Sequence, residues 1–333
     1  MYWGLSFRQG SIVGGDFRVW TGNLCGSEMK GVRVMGGTLL AIVILNYNTP
    51  GLTSELVSWF VRHYPSYPLI VVDNASPDNS YIKLKDMLSQ YSNVVILEND
   101  TNCGYACGNN LGVKYAIQKF NPRYVMIVNP DVRLPDGFIE NMIRYLEQDS
   151  QLAMVTGIMI LNGTVDFSSI AWKLPKRFDD VFLNSILLKL LYNPCKYSKL
   201  TNHSNVLPNV FYVDVIPGSC FIIRSDVFKE VGYFDEGTFL YAEERILANK
   251  VKRLGFKVGL SISDYYFHNH SSNNTSLKRG LFHLYHLYRS RLYYNIHYNS
   301  PWGYLSLPFF VGSAFVGMLE FVIVHLLRKL RKL

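Results

Sequence analysis

The sequence is poor in charge and in cysteine, and both shortages exclude common classes of protein. Only 17% of its 333 residues are charged while 49% are hydrophobic, so the chain can bury a large core and is not expected to be disordered. The five cysteines include no CxxC pair and no metal-like spacing with histidine, so we interpret all of them as reduced thiols. They lie at positions 25, 103, 107, 195 and 220.

Several nucleotide- and nucleic-acid-binding motifs are also missing. The first strand-like run ends in Asn46-Tyr47-Asn48 instead of opening a GxGxxG loop, and GxxxxGK[ST] does not occur. Gly104, Gly108 and Gly112 are spaced by four, which is too loose for a pyrophosphate fingerprint. Neither a zinc-finger spacing nor an RNP-type motif is present. These absences argue against nicotinamide oxidoreductases, P-loop enzymes and nucleic-acid binding.

From Leu39 onward, short β-branched runs alternate with segments of helical period. The strand-like runs are 39–45, 69–74, 94–98 and 124–129, and the helical segments between and after them are 52–63, 79–90, 106–120 and 135–148. This alternation predicts an α/β fold with a mostly parallel sheet and flanking helices. Residues 1–38 show neither a sustained period nor a long apolar run of the secretory-signal type, so we predict a loose N-terminal extension, whose composition is compatible with disorder.

Ligands of open parallel sheets bind beyond the carboxyl ends of the strands, so the polar residues there are the first candidates for a site. These ends carry Asn46 to Asn48, Asp73 with Asn74, residues 98–104, and Asn129 to Asp131. Each carboxylate has a structural alternative, because aspartate and asparagine also cap helices and form turns. A single carboxylate such as Asp131 is weak support for a metal, although Mg²⁺ is often held by one or two carboxylates together with substrate phosphates.

Two later segments carry further candidates. Glu243 and Glu244 open a predicted helix, where acidic residues also suit the helix dipole. His268 and His270 follow a short apolar stretch, and either histidine could be purely structural. Local sequence alone leaves both alternatives open.

Taken in order, eight segments resemble the inverting GT-A glycosyltransferases of family two, in particular the bacterial surface-polysaccharide group labelled rhamnosyltransferase-like. The resemblance runs from about Leu40 to about Ser272. The segments are AIVILNYN, IVVDNAS, NCGYACGNNLG, MIVNPDV, IPGSCFIIRSDVF, VGYFDE, FLYAEE and FHNH. It implies the GT-A (nucleotide-diphospho-sugar transferase) fold over residues 39–275.

The resemblance also implies roles for particular residues. Those matched to nucleotide-sugar binding are Asn46, Asn48, Asp73, Asn74, Asn102, Gly104, Asn109 and Asn129. Asp131 is the last carboxylate of a reduced DxD motif and would meet a divalent cation, Mg²⁺ or Mn²⁺, with His268 nearby. Glu244 stands at the general base of the family's ED motif, and Glu243 precedes it. The family often continues ED-x-D, whereas Arg245 and Ile246 follow here.

The implied activity is inverting, metal-assisted transfer of a sugar from a dTDP-, UDP- or GDP-linked donor to a hydroxyl of a lipid-linked or growing surface glycan. A non-catalytic relative that binds a nucleotide sugar or glycan is the alternative, because both acidic motifs are altered. A nucleotidyltransferase would need a glycine- and arginine-rich loop after the first strand, which NYNTPG does not supply. Residues 161–210, which are aromatic and basic, are expected to shape the acceptor site.

The last part of the chain, 276–333, is basic and aromatic, with eight lysines and arginines against one acidic residue, Glu320. Within it, 304–327 is apolar and long enough to cross a bilayer. Glu320 and His325 are costly in lipid, however, and Pro308 could kink the segment. A buried helical hairpin is the soluble alternative. We predict association with an anionic membrane surface at its cytoplasmic face, where nucleotide sugars are made, and leave open whether the segment spans, re-enters or lies flat.

Overall fold

The computed structural model describes residues 19–21, 37–165, 169–192, 207–269, 276–299 and 303–330. The strands are β1 Val19–Thr21, β2 Leu40–Asn46, β3 Leu69–Asp73, β4 Val94–Glu98, β5 Tyr124–Val128, β6 Val132–Arg133, β7 Leu152–Leu161, β8 Thr164–Val165, β9 Val210–Val213, β10 Cys220–Arg224 and β11 Lys257–His268. The α-helices are α1 Pro50–His63, α2 Ser80–Leu88, α3 Gly104–Phe120, α4 Phe138–Gln148, α5 Asp179–Leu183, α6 Ile186–Leu191, α7 Ser225–Glu230, α8 Glu243–Arg253, α9 Leu277–Tyr294 and α10 Leu307–Leu330. A π-helical turn follows α9 and a 3₁₀ turn precedes α10.

The strands form one sheet whose centre is parallel. Its order is β1-β4-β3-β2-β5-β10-β7-β11-β6, with β8 beside β7 and β9 beside β11. Strands β4, β3, β2 and β5 run parallel, as the alternating sequence pattern predicts, while β10 is antiparallel between β5 and β7. The chain moves outward from β2 to β4 and then returns to the other side of β2 with β5. This reversal creates a crevice at the carboxyl ends of β2 and β5.

The core consists of the apolar strand residues and the inward faces of the helices. Strand β3 is buried along its whole length, as expected of a sheet covered on both faces. Helix α1 buries Leu56, Val57 and Phe60 on one side, and α4 buries Met142, Ile143 and Leu146. The helices therefore hold the sheet rigid from both faces and leave its carboxyl edge accessible.

Helix α3 packs against the sheet through glycine, where a larger side chain would not fit. A methyl group added at Gly108 would lie 2.5 Å from the Leu45 side chain, and one added at Gly112 would lie 2.6 Å from Val43. The four-residue spacing of the glycines thus places them on one helical face, against β2 and its neighbours. This packing fixes the N-terminus of α3 beside the crevice.

The structure differs from the sequence prediction at three places. Val19–Thr21, in the segment predicted to be loose, forms an antiparallel strand on the outer edge of β4. The run 213–224 (VDVIPGSCFIIR) predicts one strand with a Pro-Gly break, whereas the structure places Val213 at the end of β9 and Cys220–Arg224 in β10, which pair with different neighbours. Pro308 does not kink the apolar segment, because it lies in the first turn of α10, where no intrahelical donor is needed.

Candidate active site

A pocket of about 620 Å³ lies at the carboxyl edge of the parallel strands. Residues following β2, β3, β4 and β5 converge there, as the topology requires. Among the predicted site residues, Asn74, Asn102, Gly104, Asn129 and Asp131 line it. Residues that sequence reasoning did not select also line it, and these include Tyr47, Thr49, Tyr105, Phe239, Arg279, Phe282 and His283.

Asn74, Asn102 and Gly104 form one wall of the pocket. The Asn74 amide donates to Asn102 Oδ1 at 3.0 Å and to the Gly104 carbonyl at 3.1 Å. Asn102 Oδ1 also accepts from the Gly104 amide. Gly104 has a φ of +88°, and a side chain there would collide with the Phe239 backbone, so this position needs glycine. Asparagine and glycine together therefore shape a tight polar wall.

Asn46 and Asp73 are brought together, but behind this wall. Asn46 Nδ2 donates to Asp73 Oδ1 at 2.6 Å, and the hydroxyl and backbone amide of Ser76 donate to the same carboxylate. Thr53 donates to Asn46 Oδ1. Asp73 is only 1% exposed, so its carboxylate holds the turn after β3 in the structure as it stands. Asn48 is exposed, and its backbone amide donates to Ser76.

Asn109 lies one helical turn along α3 and is buried. Its amide donates to the Tyr105 carbonyl at 3.0 Å, the carbonyl four residues earlier. Neighbouring Asn110 joins α3 to the segment after α7, because it donates to the Phe234 carbonyl and accepts from the Phe234 amide. The asparagine pair thus serves helix and loop packing, and only the start of α3 faces the pocket.

Cys103 and Cys107 form a disulfide across the first turn of α3. Their four-residue separation places the two side chains on one side of the helix start, with the Cα atoms 5.6 Å apart, within the usual disulfide range. The interpretation as reduced thiols is therefore wrong for this pair, because a four-residue separation at a helix start also brings two thiols within bonding reach. Cys220 is a buried free thiol, and Cys25 and Cys195 lie outside the described residues.

Asp131 and His268 meet because β6 and β11 are paired. Val132 of β6 is registered with His268 at the end of β11, which places His268 Nε2 3.1 Å from Asp131 Oδ1. Asp131 lines the pocket, whereas His268 is buried behind it. His270, the second late histidine, lies outside the described residues.

This pair fits a divalent cation that completes its coordination from a bound diphosphate. Among the described residues, no group of three or more histidine, cysteine, aspartate or glutamate side chains could hold a metal ion. A carboxylate facing a pocket and supported from behind by a second polar group is nevertheless the arrangement that Mg²⁺ uses when substrate phosphates supply most ligands. The geometry therefore suits Asp131 as a ligand and His268 as a ligand or as its support.

Glu243 and Glu244 begin α8, as predicted, and lie next to the pocket. A methyl group added at Gly218 would lie 3.8 Å from the Tyr105 hydroxyl and 3.9 Å from Glu244 Cβ, so Gly218 separates the two. Tyr105 donates to the Gly218 carbonyl at 2.7 Å and lines the pocket itself. The glutamate pair therefore adjoins the pocket wall through Tyr105 and Gly218.

The two glutamates differ in their electrostatics. Burial, together with the neighbouring Glu244 carboxylate, raises the pKa of Glu243 to about 8. Burial also raises the pKa of Glu244, but Arg245, the hydrogen bond from Glu243 and Arg291 act in the opposite direction. The pair therefore favours a neutral Glu243 beside an ionised Glu244. Such a pair provides one carboxylate that can accept a proton.

Helix α9 closes the pocket on the remaining side. Arg279, Phe282 and His283 come from its first two turns, and Tyr241 hydrogen-bonds to His283 Nδ1 at 2.9 Å. Burial and the charge of Arg279 lower the pKa of His283, which leaves Arg279 as the cationic group of this wall. No hydrophobic period in the sequence indicates that these residues reach the pocket, which explains why they were missed.

A sheet of this order with polar strand ends around one pocket defines a nucleotide-diphospho-sugar transferase-like fold. Solved structures support this class. GalNAc-T7 with UDP, GalNAc and Mn²⁺ aligns with a TM-score of 0.60 at 13% identity, over 83% of this chain and 51% of that one. Mannosyltransferase PcManGT from Pyrobaculum calidifontis with GDP-Man and Mn²⁺ aligns with a TM-score of 0.53 at 12% identity, over 85% and 73%. The fold is thus GT-A-like.

The sequence comparison gives the family. Residues 41–232 match the model of glycosyl transferase family 2, and the chain belongs to that family. The low-salt glycan biosynthesis hexosyltransferase Agl10 of Haloferax volcanii is 24% identical over 66% of this chain and 64% of its own length. Rhamnosyltransferase WbbL of Escherichia coli is 23% identical over 66% and 79%. An N-acetylglucosaminyl-diphospho-decaprenol L-rhamnosyltransferase of Mycobacterium tuberculosis is 22% identical over 66% and 72%. The predicted family is confirmed.

Proposed function

We propose that this family 2 protein transfers a sugar, with inversion, from a nucleoside-diphosphate donor to a hydroxyl of a lipid-linked or growing surface glycan. The observation that carries the proposal is the convergence of Asn74, Gly104, Asn129 and Asp131 on one pocket beside the Glu243 and Glu244 pair. Named relatives act in glycan biosynthesis, and the solved neighbours hold UDP or GDP-mannose with Mn²⁺. These support the donor class without selecting among dTDP-, UDP- and GDP-linked sugars.

Glu244 is the proposed general base. The acceptor hydroxyl attacks the anomeric carbon, the bond from that carbon to the diphosphate oxygen breaks, and Glu244 takes the hydroxyl proton. Glu243, neutral below a pH of about 8, donates to Glu244 and keeps its partner ionised. A positioned base of this kind contributes about 10² to 10⁴ in rate. The negative charge leaves with the nucleoside diphosphate.

Asp131 is the proposed ligand of Mg²⁺ or Mn²⁺, together with His268 directly or through the Asp131 carboxylate. A bound cation would offset the charge that develops on the departing diphosphate. Asn129 and Asn102 offer amide groups to the same pocket, and Gly104 allows close backbone approach. Asn46, Asn48 and Asp73 would contribute by fixing the strand ends, and Asn109 by fixing the start of α3.

The acceptor is proposed to be lipid-linked, and the chain to work at the cytoplasmic face of a membrane. The mycobacterial relative is named for the lipid-linked sugar N-acetylglucosaminyl-diphospho-decaprenol. Among the described residues, one helix is long and apolar enough to cross a membrane: the segment Tyr304–Leu327 has a mean hydropathy of 2.1 over 18 residues. Cytosolic supply of nucleotide sugars motivates the choice of face.

Donor binding is tested by thermal denaturation with UDP, dTDP, GDP and CMP, each with and without Mn²⁺. A ligand at 100 times its Kd should stabilise the fold by about 2.7 kcal/mol. We expect one nucleoside diphosphate to do so only with metal, and Asp131→Asn to abolish this stabilisation. The control is Asp86→Asn on the exposed face of α2. The absence of stabilisation by any nucleotide, with folded protein, would favour the alternative of a non-catalytic glycan-binding relative.

The base is tested by Glu244→Gln. We expect turnover to fall by about 10² to 10⁴ while metal-dependent nucleotide binding is kept, because the amide cannot accept the hydroxyl proton. Glu236→Gln, an exposed carboxylate in the neighbouring loop, is the control. Normal turnover in Glu244→Gln would show that another group is the base. Inversion itself is checked by the anomeric configuration of the product.

A further inference from the structure

Helix α10, with the turn before it, packs against the protein through small residues and a few phenylalanines, and it directs most of its large apolar residues outward. Ser306, Phe310, Ser313 and Gly317 recur at three- and four-residue spacing and are buried against the rest of the chain. The opposite side carries exposed large apolar residues, among them Phe309, Phe315, Leu319, Ile323 and Leu326. This orientation is the reverse of a surface helix in water. An apolar environment is therefore needed outside α10.

The inward contacts of α10 extend along most of its length. Asn184 donates to Ser313 Oγ at 3.2 Å, and a side chain at Gly317 would collide with the Asn184 carbonyl. The Phe321 ring covers Gly280 of α9 in the same manner. From Ser306 to Phe321 this seam spans about 22 Å of helix. A helix held along such a length cannot leave the protein to cross a bilayer without losing these contacts.

Glu320 joins α10 to the short helix α6. Its carboxylate accepts from Ser185 Oγ at 2.7 Å and from the backbone amides of Ile186 and Leu187 at 2.6 and 3.2 Å. These are the amides that the first turn of a helix leaves without intrahelical partners. The only acidic side chain of α10 is therefore used to hold α6 in place.

Helix α6 adds a second exposed apolar surface beside α10. Leu190 and Leu191 are 80% and 78% exposed, and Ile186 and Leu187 are exposed as well. Phe178, just before α5, contacts Phe309 of α10 with ring centroids 6.0 Å apart. Hence the outward side of α10, the Phe178 ring and α6 make one continuous surface. We refer to these residues as the apolar face.

The charges on the apolar face favour anionic lipid over a second copy of the chain. In the described parts of α6 and α10 the exposed charged side chains are Lys189 and Lys329, both basic. A two-fold contact would bring lysines of two copies into one interface, whereas anionic headgroups would neutralise them. Aromatic rings such as Phe178 and Phe309 on the same face also suit the boundary between headgroups and acyl chains.

We infer that α6 and the outward side of α10 together form a docking face that rests in the headgroup region of an anionic bilayer, with α10 lying along the membrane instead of crossing it. This inference rests on the proposed membrane association and not on sugar transfer. It also gives α10 a link to the pocket, because Phe321 packs on Gly280, and the adjacent Arg279 lines the pocket.

Vesicle flotation tests the face with the full-length chain. We compare vesicles of phosphatidylcholine alone with an equal mixture of phosphatidylcholine and phosphatidylglycerol. The double variant Leu190→Glu, Leu191→Glu should lower partitioning into the mixed vesicles at least about tenfold, since two apolar side chains leave the acyl boundary. The matched control is Ile82→Glu, Met87→Glu on α2, where both side chains are exposed and no change is expected. Unchanged partitioning of the Leu190/Leu191 variant would overturn the proposal.

The substitution Glu320→Leu distinguishes an α10 that docks on the membrane from an α10 that crosses it. If α10 crossed the bilayer alone, removal of a carboxylate would strengthen its insertion. If α10 docks as inferred, the substitution releases α6 and lowers both the melting temperature and vesicle partitioning, and Glu320→Gln, which keeps one acceptor oxygen, loses less of each. Stronger membrane retention in Glu320→Leu would contradict our assignment.

Topology gives an independent readout. With an epitope tag appended after Leu333 and expression in a bacterial host, docking keeps the tag protected from external protease in intact spheroplasts and exposes it in inverted vesicles. Digestion in intact spheroplasts would establish a span.

A stable dimer in lipid-free solution that the leucine substitutions dissociate, with vesicle binding unchanged, would assign the face to a second copy. Nucleotide-induced stabilisation should be equal in wild type and the Leu190/Leu191 variant, so failure of the donor proposal remains distinguishable.

Discussion

The neighbouring carboxyl groups of Glu243 and Glu244, at the start of α8, have different proposed roles because their surroundings differ. Burial raises the pKa of both carboxyl groups, that of Glu243 to about 8, and at Glu244 the charges of Arg245 and Arg291 oppose this rise. One proton held on Glu243 leaves Glu244 ionised as the proposed base. Sequence reasoning located this pair at a helix start but could not divide the roles, because burial on α8 depends on how α8 packs.

Stability should reveal the proton on Glu243. Its pKa is higher in the folded chain than the ordinary glutamate value of about 4.3, so the folded state binds the proton more tightly. The free energy of unfolding therefore falls as pH rises from about 4.3 to about 8. We expect Glu243→Gln to melt at a higher temperature relative to wild type at pH 8 than at about pH 5, as measured by thermal denaturation.

The control for this comparison is Glu230→Gln, an exposed residue at the end of α7, which should show the same difference from wild type at both pH values. A Glu243→Gln difference that does not grow with pH would mean that Glu243 is ionised in the folded protein at neutral pH.

The rule that ligands bind beyond the carboxyl ends of parallel strands predicted which strand ends form the site, but not which side chains reach the pocket. Asn74, Asn129 and Asp131 reach the pocket, whereas Asn46 and Asp73 turn toward each other behind it. All of these residues stand at or just after the end of a buried strand. Asn46 and Asp73 turn inward because the Thr53 hydroxyl donates to Asn46 and the Ser76 hydroxyl donates to Asp73. Such tertiary hydrogen bonds carry no local sequence signal.

At the scale of elements, the parallel strands β2 to β5 and their helices were predictable because period and length agree over each segment. The close packing of α3 against the sheet was not predicted, although its cause, glycine at four-residue spacing, is visible in the sequence. Sequence reasoning assigned only Gly104 to a sugar nucleotide and gave Gly108 and Gly112 no packing role. In the structure only Gly104 lines the pocket, and Gly108 and Gly112 pack against the sheet.

Substitution of Gly108 tests this packing. In Gly108→Ala the new methyl group would lie 2.5 Å from Leu45 and 3.3 Å from Asn74, so we expect destabilisation of about 1 to 3 kcal/mol in denaturant unfolding. In Gly51→Ala, in α1, the methyl group meets nothing within 4 Å, and we expect a change between zero and about 1 kcal/mol of stabilisation. Equal effects of the two changes would show that α3 can move off the sheet at no cost.

At the scale of the whole molecule, a buried ion-pair network joins the helices around the site. Asp180 of α5 is fully buried and accepts from Arg245 Nη1 with both oxygens at 3.0 Å. Asn295, after α9, donates to the same carboxylate at 2.9 Å. In the family's ED-x-D pattern Arg245 occupies the variable position, and Ile246 stands where the second aspartate would be. Arg245 places a cation beside the proposed base and, through Asp180 and Asn295, ties it to the end of α9.

Removal of the buried Asp180 carboxylate should lower the free energy of unfolding. We expect Asp180→Ala to destabilise the protein by about 3 to 5 kcal/mol in urea unfolding, because Arg245 is left charged in a dry site. The exposed pair Arg123 and Glu147, 3.0 Å apart, is the comparison, and Glu147→Ala should cost no more than about 1 kcal/mol. Equal losses would show that water reaches the Asp180 network.

The position of α9 sets a limit on how the chain can be shortened for laboratory work. The sequence suggests a boundary near residue 275, and the family match ends at residue 232. Yet Glu243 and Glu244 follow the second point, and Arg279, Phe282 and His283 follow the first. A truncated protein made to remove the apolar C-terminal segment must therefore end after α9. A protein that ends earlier lacks one wall of its pocket, and its inactivity would then say nothing about the function of the whole chain.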